Sequence, residues 1–147
     1  MGLIITGDFD GDGKTEKAKL VKVKSGYGNP IEDGVSDEYE IQFSNKKMKP
    51  IKIGCCEATL INEGNLNNND KDAISIFQAP MNGCTYSMQT YTYNNGKWEK
   101  VLDPFLVPTA CESYSEDRLQ NLVIKENNAI YYFTIDPNDG FLIKHKK

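Results

Sequence analysis

The sequence predicts an all-β fold built from antiparallel hairpins, and three observations support that prediction. Apolar and polar residues alternate with a period of two in several short segments, as expected for strands with one buried face. Asparagine- and glycine-rich turns separate some of these segments, and both residues tolerate the positive φ that tight hairpins require. Helix signals are weak, and only residues 115–121 combine an N-cap serine with an acidic first turn.

In the first half of the chain, an apolar segment and four alternating segments each predict a strand. These segments are residues 3–6, 17–23, 38–43, 51–53 and 73–77. The glycine- and acid-rich stretch at residues 25–37 predicts an exposed loop rather than a domain boundary.

The second half of the chain is expected to form hairpins. Residues 85–93 and the segment KWEKVL flank Asn94-Asn95-Gly96, and residues 122–126 and 130–135 flank Asn127-Asn128. A turn at DPNDG then precedes a last strand, FLIKH. Residues 103–117 are expected to be irregular, with Phe105, Leu106 and Val107 covering one end of the core.

Length and charge limit the function classes. A chain of 147 residues is most simply a single β domain, residues 1–147, and can bury a sizeable core. The net charge of −4 and the pI near 5.0 give no basic footprint, so a nucleic-acid partner is not expected. No apolar run is long enough to predict a membrane span.

The four cysteines do not predict a zinc site, because the chain has no CxxC pair and its one histidine is His145. If the protein is exported, its cysteines tend to pair. A vicinal bridge between Cys55 and Cys56 would close a strained ring, so we expect one disulfide, between Cys84 and Cys111. Buried free thiols are the alternative.

The segment GDFDGDGKTEKAKL, residues 7–20, crowds four carboxylates into a short stretch. If Asp8 is position 1, then Asp10, Asp12 and Glu16 occupy positions 3, 5 and 9, and the main-chain carbonyl of Lys14 is available at position 7. Calcium takes six to eight oxygen ligands, which alternate residues of a tight loop can supply. The spacing therefore predicts a calcium site, with a solvated acidic turn as the alternative.

The calcium loop is not of the helical type. An EF-hand needs a bidentate glutamate at position 12 and a helix on each side, whereas position 12 is Lys19 and the residues around it alternate as a strand. A dockerin also places a helix after its loop. The pattern instead predicts a calcium loop that connects two β-strands.

This loop resembles the DxDGDGxxD calcium loop of FG-GAP and VCBS-type repeats, found in integrin-type β-propellers. The segment GNLNNNDKDAISI, residues 64–76, resembles a second, degenerate copy. Its corresponding ligands would be Asn65, Asn67, Asn69, the main-chain carbonyl of Lys71, and Asp72, which lies one residue earlier than Glu16 does. Neutral ligands weaken calcium affinity, so the second loop is expected to bind weakly or to be stabilised by its own asparagine turns.

The resemblance implies propeller-blade-like hairpins, although the chain is too short for a closed propeller. It also implies calcium as the cofactor and a bacterial exported domain, whether periplasmic, cell-surface or lipid-anchored, whose targeting segment is absent from this chain. The implied partner is an unknown protein or glycan at the cell surface.

The titratable residues do not predict an enzyme. Asp37, Glu38 and Glu40 lie on or beside an alternating strand, as solvent-facing residues would, and His145 lies in a basic tail. Cys55-Cys56 has no histidine near it in sequence, so no nucleophile is identified. A non-enzymatic module is expected, and a hydrolase is the remaining enzymatic alternative.

The hairpin around Asn95 is rich in aromatic residues: Tyr86, Tyr91, Tyr93 and Trp98. Aromatic rows on a β-surface can stack on sugar rings or on peptide side chains, which makes a carbohydrate- or peptide-binding accessory domain the alternative function. The competing interpretation is that these rings form cross-strand pairs that stabilise the sheet.

Overall fold

Twelve strands and one short helix form the chain, and the computed structural model describes all 147 residues. The first sheet has the order β1 (Ile4–Gly7), β2 (Glu16–Lys24), β3 (Glu38–Phe43), β4 (Ile51–Gly54). The central sheet has the order β5 (Ala58–Gly64), β6 (Ala73–Gln78), β7 (Thr85–Asn94), β8 (Lys97–Lys100), and β9 (Phe105–Pro108) also pairs with β7. The third sheet has the order β10 (Val123–Glu126), β11 (Ala129–Ile135), β12 (Leu142–Lys146), and α1 (Glu116–Gln120) precedes it.

The fold is all-β, as predicted, and every strand pair is antiparallel. No sheet closes into a barrel or a propeller. The only helix has five residues, so no helix could cross a lipid bilayer.

The central sheet is buried on both faces. Leu60, Ile74 and Ile76 belong to the core cluster shared with the first sheet. Their neighbours Ile61 and Phe77 belong to the cluster shared with α1 and the third sheet. All six residues of β6 are buried, so the expectation of one buried face for residues 73–77 was wrong. A strand between two layers needs apolar or hydrogen-bonded residues at every position.

The turn predictions are confirmed. Asn95 and Gly96 adopt φ of 52° and 76° between β7 and β8, and Asn127 and Asn128 adopt φ of 51° and 62° between β10 and β11. The short helix also forms where predicted, with the Ser115 side chain accepting a hydrogen bond from the Arg118 N–H. Local turn and capping chemistry therefore determines these connections.

Two strands were missed by the sequence analysis. Strand β5 contains the buried, non-alternating pair Leu60 and Ile61. The irregular segment at residues 103–117 contains β9, in which Phe105 and Val107 are buried as expected, whereas Leu106 points outward and is 65% exposed. The expectation that Leu106 covers the core was therefore wrong, because adjacent strand residues face opposite sides.

All four cysteines are paired in the structure. Cys84 is bonded to Cys111, which joins the segment before β7 to the segment after β9. Cys55 is bonded to Cys56, a pair that the sequence analysis had disfavoured. No cysteine is free.

Candidate functional site

Residues 8–15, which we call the acidic loop, connect β1 to β2. The flanking residues Gly7 and Glu16 are paired in the antiparallel ladder, so the loop is closed at its base. Phe9, at position 2, is fully buried and packs edge-on against Phe43 with ring centroids 6.1 Å apart. The strand pairing and this apolar anchor together fix where the polar part of the loop lies.

The four predicted carboxylates converge at the acidic loop. One carboxylate oxygen from each of Asp8, Asp10, Asp12 and Glu16 lies within 4.8 Å of the others. The loop backbone curves around them because Gly11 and Gly13 adopt φ of 78° and 85°, a region in which residues with a side chain are strained.

Backbone N–H groups of the loop donate to its own aspartates. Asp8 Oδ1 and Oδ2 accept from the N–H groups of Gly11 and Gly13 at 3.0 and 2.9 Å. Asp10 Oδ1 accepts from the Asp12 N–H at 3.1 Å, and Asp12 Oδ1 accepts from the Lys14 N–H at 2.8 Å. These Asx-type turns hold the carboxylates in place, and each oxygen still has a lone pair available.

Glu16 is the most buried of the four acids, with only 4% of its surface exposed. Its Oε1 atom accepts hydrogen bonds from the N–H groups of Phe9 and Asp10 at 3.1 and 3.2 Å. Burial, assisted by the nearby charges of Asp10 and Asp12 and opposed by the two backbone donors, raises the pKa of Glu16 to about 7. In the absence of a cation, Glu16 is therefore partly protonated at neutral pH.

Residues 65–72, which we call the asparagine loop, occupy the same place in the central sheet. They connect β5 to β6, and the flanking residues Gly64 and Ala73 are paired. Leu66 at position 2 is buried like Phe9. Positions 4 and 6 are Asn68 and Asp70, with φ of 53° and 59°. The two loops therefore have the same length, the same anchor position and left-handed residues at the same positions.

The asparagine loop differs in its polar groups. Asn65 Oδ1 accepts from the Asn69 N–H at 3.0 Å, and Asn69 Oδ1 accepts from the Lys71 N–H at 3.3 Å. Position 9, where the acidic loop has Glu16, is Ala73. Asn67 is half-buried and makes no side-chain hydrogen bond.

An ammonium group lies on the asparagine loop. Lys125 Nζ, from β10, donates to the main-chain oxygen of Asn65 at 3.0 Å and to Asn68 Oδ1. Two loop oxygens are thus already bound to a positive charge of the chain itself.

The carboxylate of Asp72 lies between the two loops and makes no hydrogen bond within the asparagine loop. Asp72 Oδ2 accepts from the Asp8 N–H at 3.0 Å and from Asn62 Nδ2 at 3.2 Å, and the Asp72 N–H donates to the Asp8 carbonyl at 2.9 Å. A Cβ atom on Gly7 would lie 2.7 Å from Asp72 Oδ2 and 2.5 Å from Asn62 Nδ2. Because Gly7 has no Cβ atom, the acidic loop and the asparagine loop can approach each other closely.

The acidic loop brings together four carboxylates, the type of ligand that a hard cation prefers. Calcium prefers carboxylate and carbonyl oxygens, and four converging carboxylates repel one another without a counter-charge. The asparagine loop fits a metal less well, since it offers neutral amides, no acid at position 9, and a bound ammonium. In the acidic loop, Asn45 Nδ2 donates a further hydrogen bond to Asp10 Oδ2 at 3.1 Å.

Asn45 and Lys125 were missed by the sequence analysis, because only folding brings them to the loops. The anchors Phe9 and Leu66 could have been found, since both copies have an apolar residue at position 2.

The aromatic hairpin is divided between two faces of the central sheet. Trp98 stacks on Phe43 with centroids 4.9 Å apart and donates from Nε1 to the Lys49 carbonyl at 2.8 Å. Tyr91 and Tyr93 pack against the same core as Trp98, whereas Tyr86 packs against the opposite core and stacks on Phe77 at 4.6 Å. The four rings therefore do not form one continuous surface.

The residues considered for catalysis are engaged with other partners in the structure. Asp37 accepts from the Gly26 N–H and forms an ion pair with Lys22, which together lower its pKa. His145, on β12, stacks on Tyr132 and shares a 2.7 Å hydrogen bond between its Nε2 atom and Thr134 Oγ1. Cys55 and Cys56 are disulfide-bonded and so present no thiolate.

Comparison with protein-family models, with curated proteins and with solved structures finds no match for this chain. The geometry of the two loops is therefore the basis for assigning a function.

Proposed function

We propose that this chain is a non-enzymatic, calcium-stabilised β module of an exported protein, with a structural or partner-binding role. Calcium is held in the acidic loop by Asp8, Asp10, Asp12 and Glu16, with the main-chain carbonyl of Lys14 as a further ligand. The asparagine loop is a degenerate copy that is stabilised mainly by its own hydrogen bonds and by Lys125.

The convergence of four carboxylates within 4.8 Å is the observation that carries the proposal. Bringing acids this close costs free energy by charge repulsion, and Glu16 additionally loses hydration. A bound divalent cation offsets both costs at once. Backbone N–H donors offset part of the repulsion.

The position of the site supports a structural role. The acidic loop joins β1 to β2 in the first sheet and is bonded through Asp8 to Asp72 of the central sheet. Calcium bound there would reinforce the contact between two sheets that already share a buried core cluster. Extracellular calcium is abundant enough to fill sites of modest affinity, which supports export.

Thermal unfolding in calcium and in EDTA tests the proposal. A ligand present at a hundred times its Kd, binding only the folded chain, stabilises it by about 2.7 kcal/mol, equivalent to a Tm increase of roughly 5–10 °C for a domain of this size. Magnesium at the same ionic strength serves as the control, because it dehydrates reluctantly and fits such loops less well. A Tm that does not change with calcium would contradict the proposal.

A further inference from the structure

Strand β12 is an open edge of the third sheet. It pairs with β11 on one side and with no strand on the other. Four of its five residues are exposed, and His145 is half-buried. A strand edge that nothing covers presents unpaired main-chain groups, which can pair with an extended segment of another chain.

The pairing with β11 determines which main-chain groups of β12 point outward. The Lys147 N–H donates to the Ile130 carbonyl at 2.9 Å. Residues bonded to the partner strand alternate with residues that are not, so the bonds to β11 fall at the odd-numbered residues. The N–H and C=O groups of Leu142, Lys144 and Lys146 therefore point away from the sheet.

The first half of this edge is apolar. Phe141, Leu142 and Ile143 are consecutive and are 74%, 57% and 42% exposed. Contiguous exposed apolar residues are typical of interaction sites. Because consecutive strand residues face opposite sides, an added strand would cover apolar side chains on both faces of the edge.

The second half of the edge is basic, with Lys144, Lys146 and Lys147. Of these lysines, only Lys144 forms an ion pair within the chain, with a glutamate of β10. Lys146 and Lys147 line a cavity of about 470 Å³ together with Lys100 of β8, and Asp103 is the only acid in its lining. In a chain of net charge −4, this end of β12 concentrates positive charge that has no partner.

The lysines select the kind of strand that the edge accepts. Full-length antiparallel pairing of β12 with a second copy would place Lys144 opposite Lys144, and like charges directly opposite each other are destabilising. Lysines on an edge strand also protect it from pairing with uncharged strands. Acidic residues opposite the lysines would be attracted instead.

We propose that β12 binds an acidic, extended peptide segment of a partner protein, which adds to the third sheet as a further strand. Antiparallel addition, the more stable mode, places acidic residues opposite Lys146 and Lys147 and apolar residues opposite residues 141–143. The segment therefore has acids at its amino-terminal end and apolar residues at its carboxyl-terminal end. This inference rests on the partner-binding form of the proposed function and places the contact at β12 and not at the aromatic hairpin.

Hydrogen exchange of individual main-chain amides, measured by NMR in calcium, tests the inference. The probe is the acetylated and amidated peptide GEETTVIVG, titrated to about 1 mM. At saturation, exchange at the outward amides of Leu142, Lys144 and Lys146 should slow by at least about tenfold. The amides of Ile143 and His145 are already bonded to β11 and should change little.

Two altered peptides are the controls. One has lysines in place of both glutamates. The other keeps the glutamates but is N-methylated at the residues whose amides would pair with β12, so it retains the charge and loses the donors. Neither should protect the outward amides. Equal protection by the lysine peptide would show that charge does not select the segment, and equal protection by the methylated peptide would show that no strand is added; either result would overturn the inference.

Two variants of the chain test the same contact. Lys146→Glu should weaken peptide binding on the order of tenfold, because it replaces an attraction by a repulsion. Lys19→Glu, the same change at an exposed lysine of β2, is the matched control and should bind like the unaltered chain. Leu142→Pro removes an outward N–H, which an edge strand tolerates, and should also weaken binding. Lys146→Glu keeps the test valid if Leu142→Pro unfolds.

Three further results would overturn the inference. They are no protection of the outward amides, equal affinity of Lys146→Glu and its control, and protection that rises with the concentration of the chain alone. The last result would identify a second copy at the edge. The calcium-dependent Tm is a separate readout, so failure here is distinguishable from failure of the calcium proposal.

Discussion

The two loops have the same backbone and different charge. Each closes a β-hairpin, buries an apolar residue at position 2, and places left-handed residues at positions 4 and 6. The acidic loop fills positions 1, 3, 5 and 9 with acids, whereas the asparagine loop has three amides and Ala73. Both loops have Asx turns and an apolar anchor and differ in charge, so we propose that charge decides whether such a loop binds a metal.

The two loops also differ in what supplies positive charge. In the asparagine loop, Lys125 Nζ donates to Asn65 and Asn68, so a cation of the chain itself is in place. No ammonium is bonded to the acidic loop, where Asn45 supplies only a neutral donor to Asp10. We therefore expect calcium to act on one loop and Lys125 on the other.

The largest expected effect comes from the anchor that the loops share. Phe9→Ala should lower the free energy of unfolding by about 3–5 kcal/mol and Leu66→Ala by about 2–5 kcal/mol, because each removes a buried side chain and leaves a cavity. Urea unfolding in EDTA measures both. A loss below 1 kcal/mol for either variant would mean that position 2 does not anchor that loop.

The next effect separates the loops by their response to calcium. Asp10→Asn should remove most of the stabilisation by calcium, about 2.7 kcal/mol at a hundred times the Kd, because it takes away one charged ligand. Asn67→Ala is the matched change at position 3 of the other loop and should leave the calcium response intact. Thermal unfolding in calcium and in EDTA measures both, and an equal response of the two variants would contradict the assignment.

The buried Glu16 and the half-buried Glu63 should make the stability depend on pH. Burial raises the pKa of Glu63 to about 8, against the hydrogen bond from Ser75, and that of Glu16 to about 7. Both pKa values lie above the ordinary 4.5. The stabilisation that these two protonated carboxyl groups contribute is therefore fully present below pH 4.5 and is lost as the pH rises through 7 and 8.

In EDTA, Glu63→Gln should reduce this pH-dependent loss in the free energy of unfolding by at least about 1.4 kcal/mol, the equivalent of one pKa unit. Calcium should cancel only the part that is due to Glu16, since the metal replaces its proton. Urea unfolding at a series of pH values measures both effects. An unchanged pH profile in Glu63→Gln would show that Glu63 does not retain its proton in the folded chain.

The smallest expected effect is at Lys125. Lys125→Met should lower stability by about 0.5–1.5 kcal/mol, the range for a lost hydrogen bond, and by the same amount in calcium and in EDTA. Lys19→Met, at an exposed lysine of β2, is the control and should change little. If Lys125→Met is as stable as its control, the Lys125 ammonium does not stabilise the asparagine loop.

Much of the fold follows from local sequence. Asn95-Gly96 and Asn127-Asn128 determine two hairpins because few other residues adopt positive φ, and Ser115 starts the helix. The burial of β6 on both faces could not be read from alternation, since Ser75 appears polar yet is buried through hydrogen bonds to Glu63 and Thr90 at 2.5 and 2.7 Å. Contacts distant in sequence, such as Phe43 on Trp98, had no local signal.

The sequence predicted the residue types of the candidate site better than it predicted how the positions of the two loops align. The spacing of Asp8, Asp10 and Asp12 indicated that they converge. Asp72 was predicted as a ligand of the second loop although it lies one residue earlier than Glu16 does, and strand pairing places Ala73 opposite Gly64 as Glu16 lies opposite Gly7. Asp72 therefore corresponds to Thr15, and its carboxylate contacts the neighbouring loop. In each hairpin, the pairing of the two flanking strands determines which side chain lies at position 9.

Calorimetric titration of the metal-free chain with calcium tests the central claim most directly, because it counts the sites. We expect one calcium per chain, no binding in Asp12→Asn combined with Asp10→Asn, and unchanged binding in Asn67→Ala. No binding to the unaltered chain, or two equivalent sites per chain, would contradict the claim that calcium occupies the acidic loop and not its asparagine counterpart.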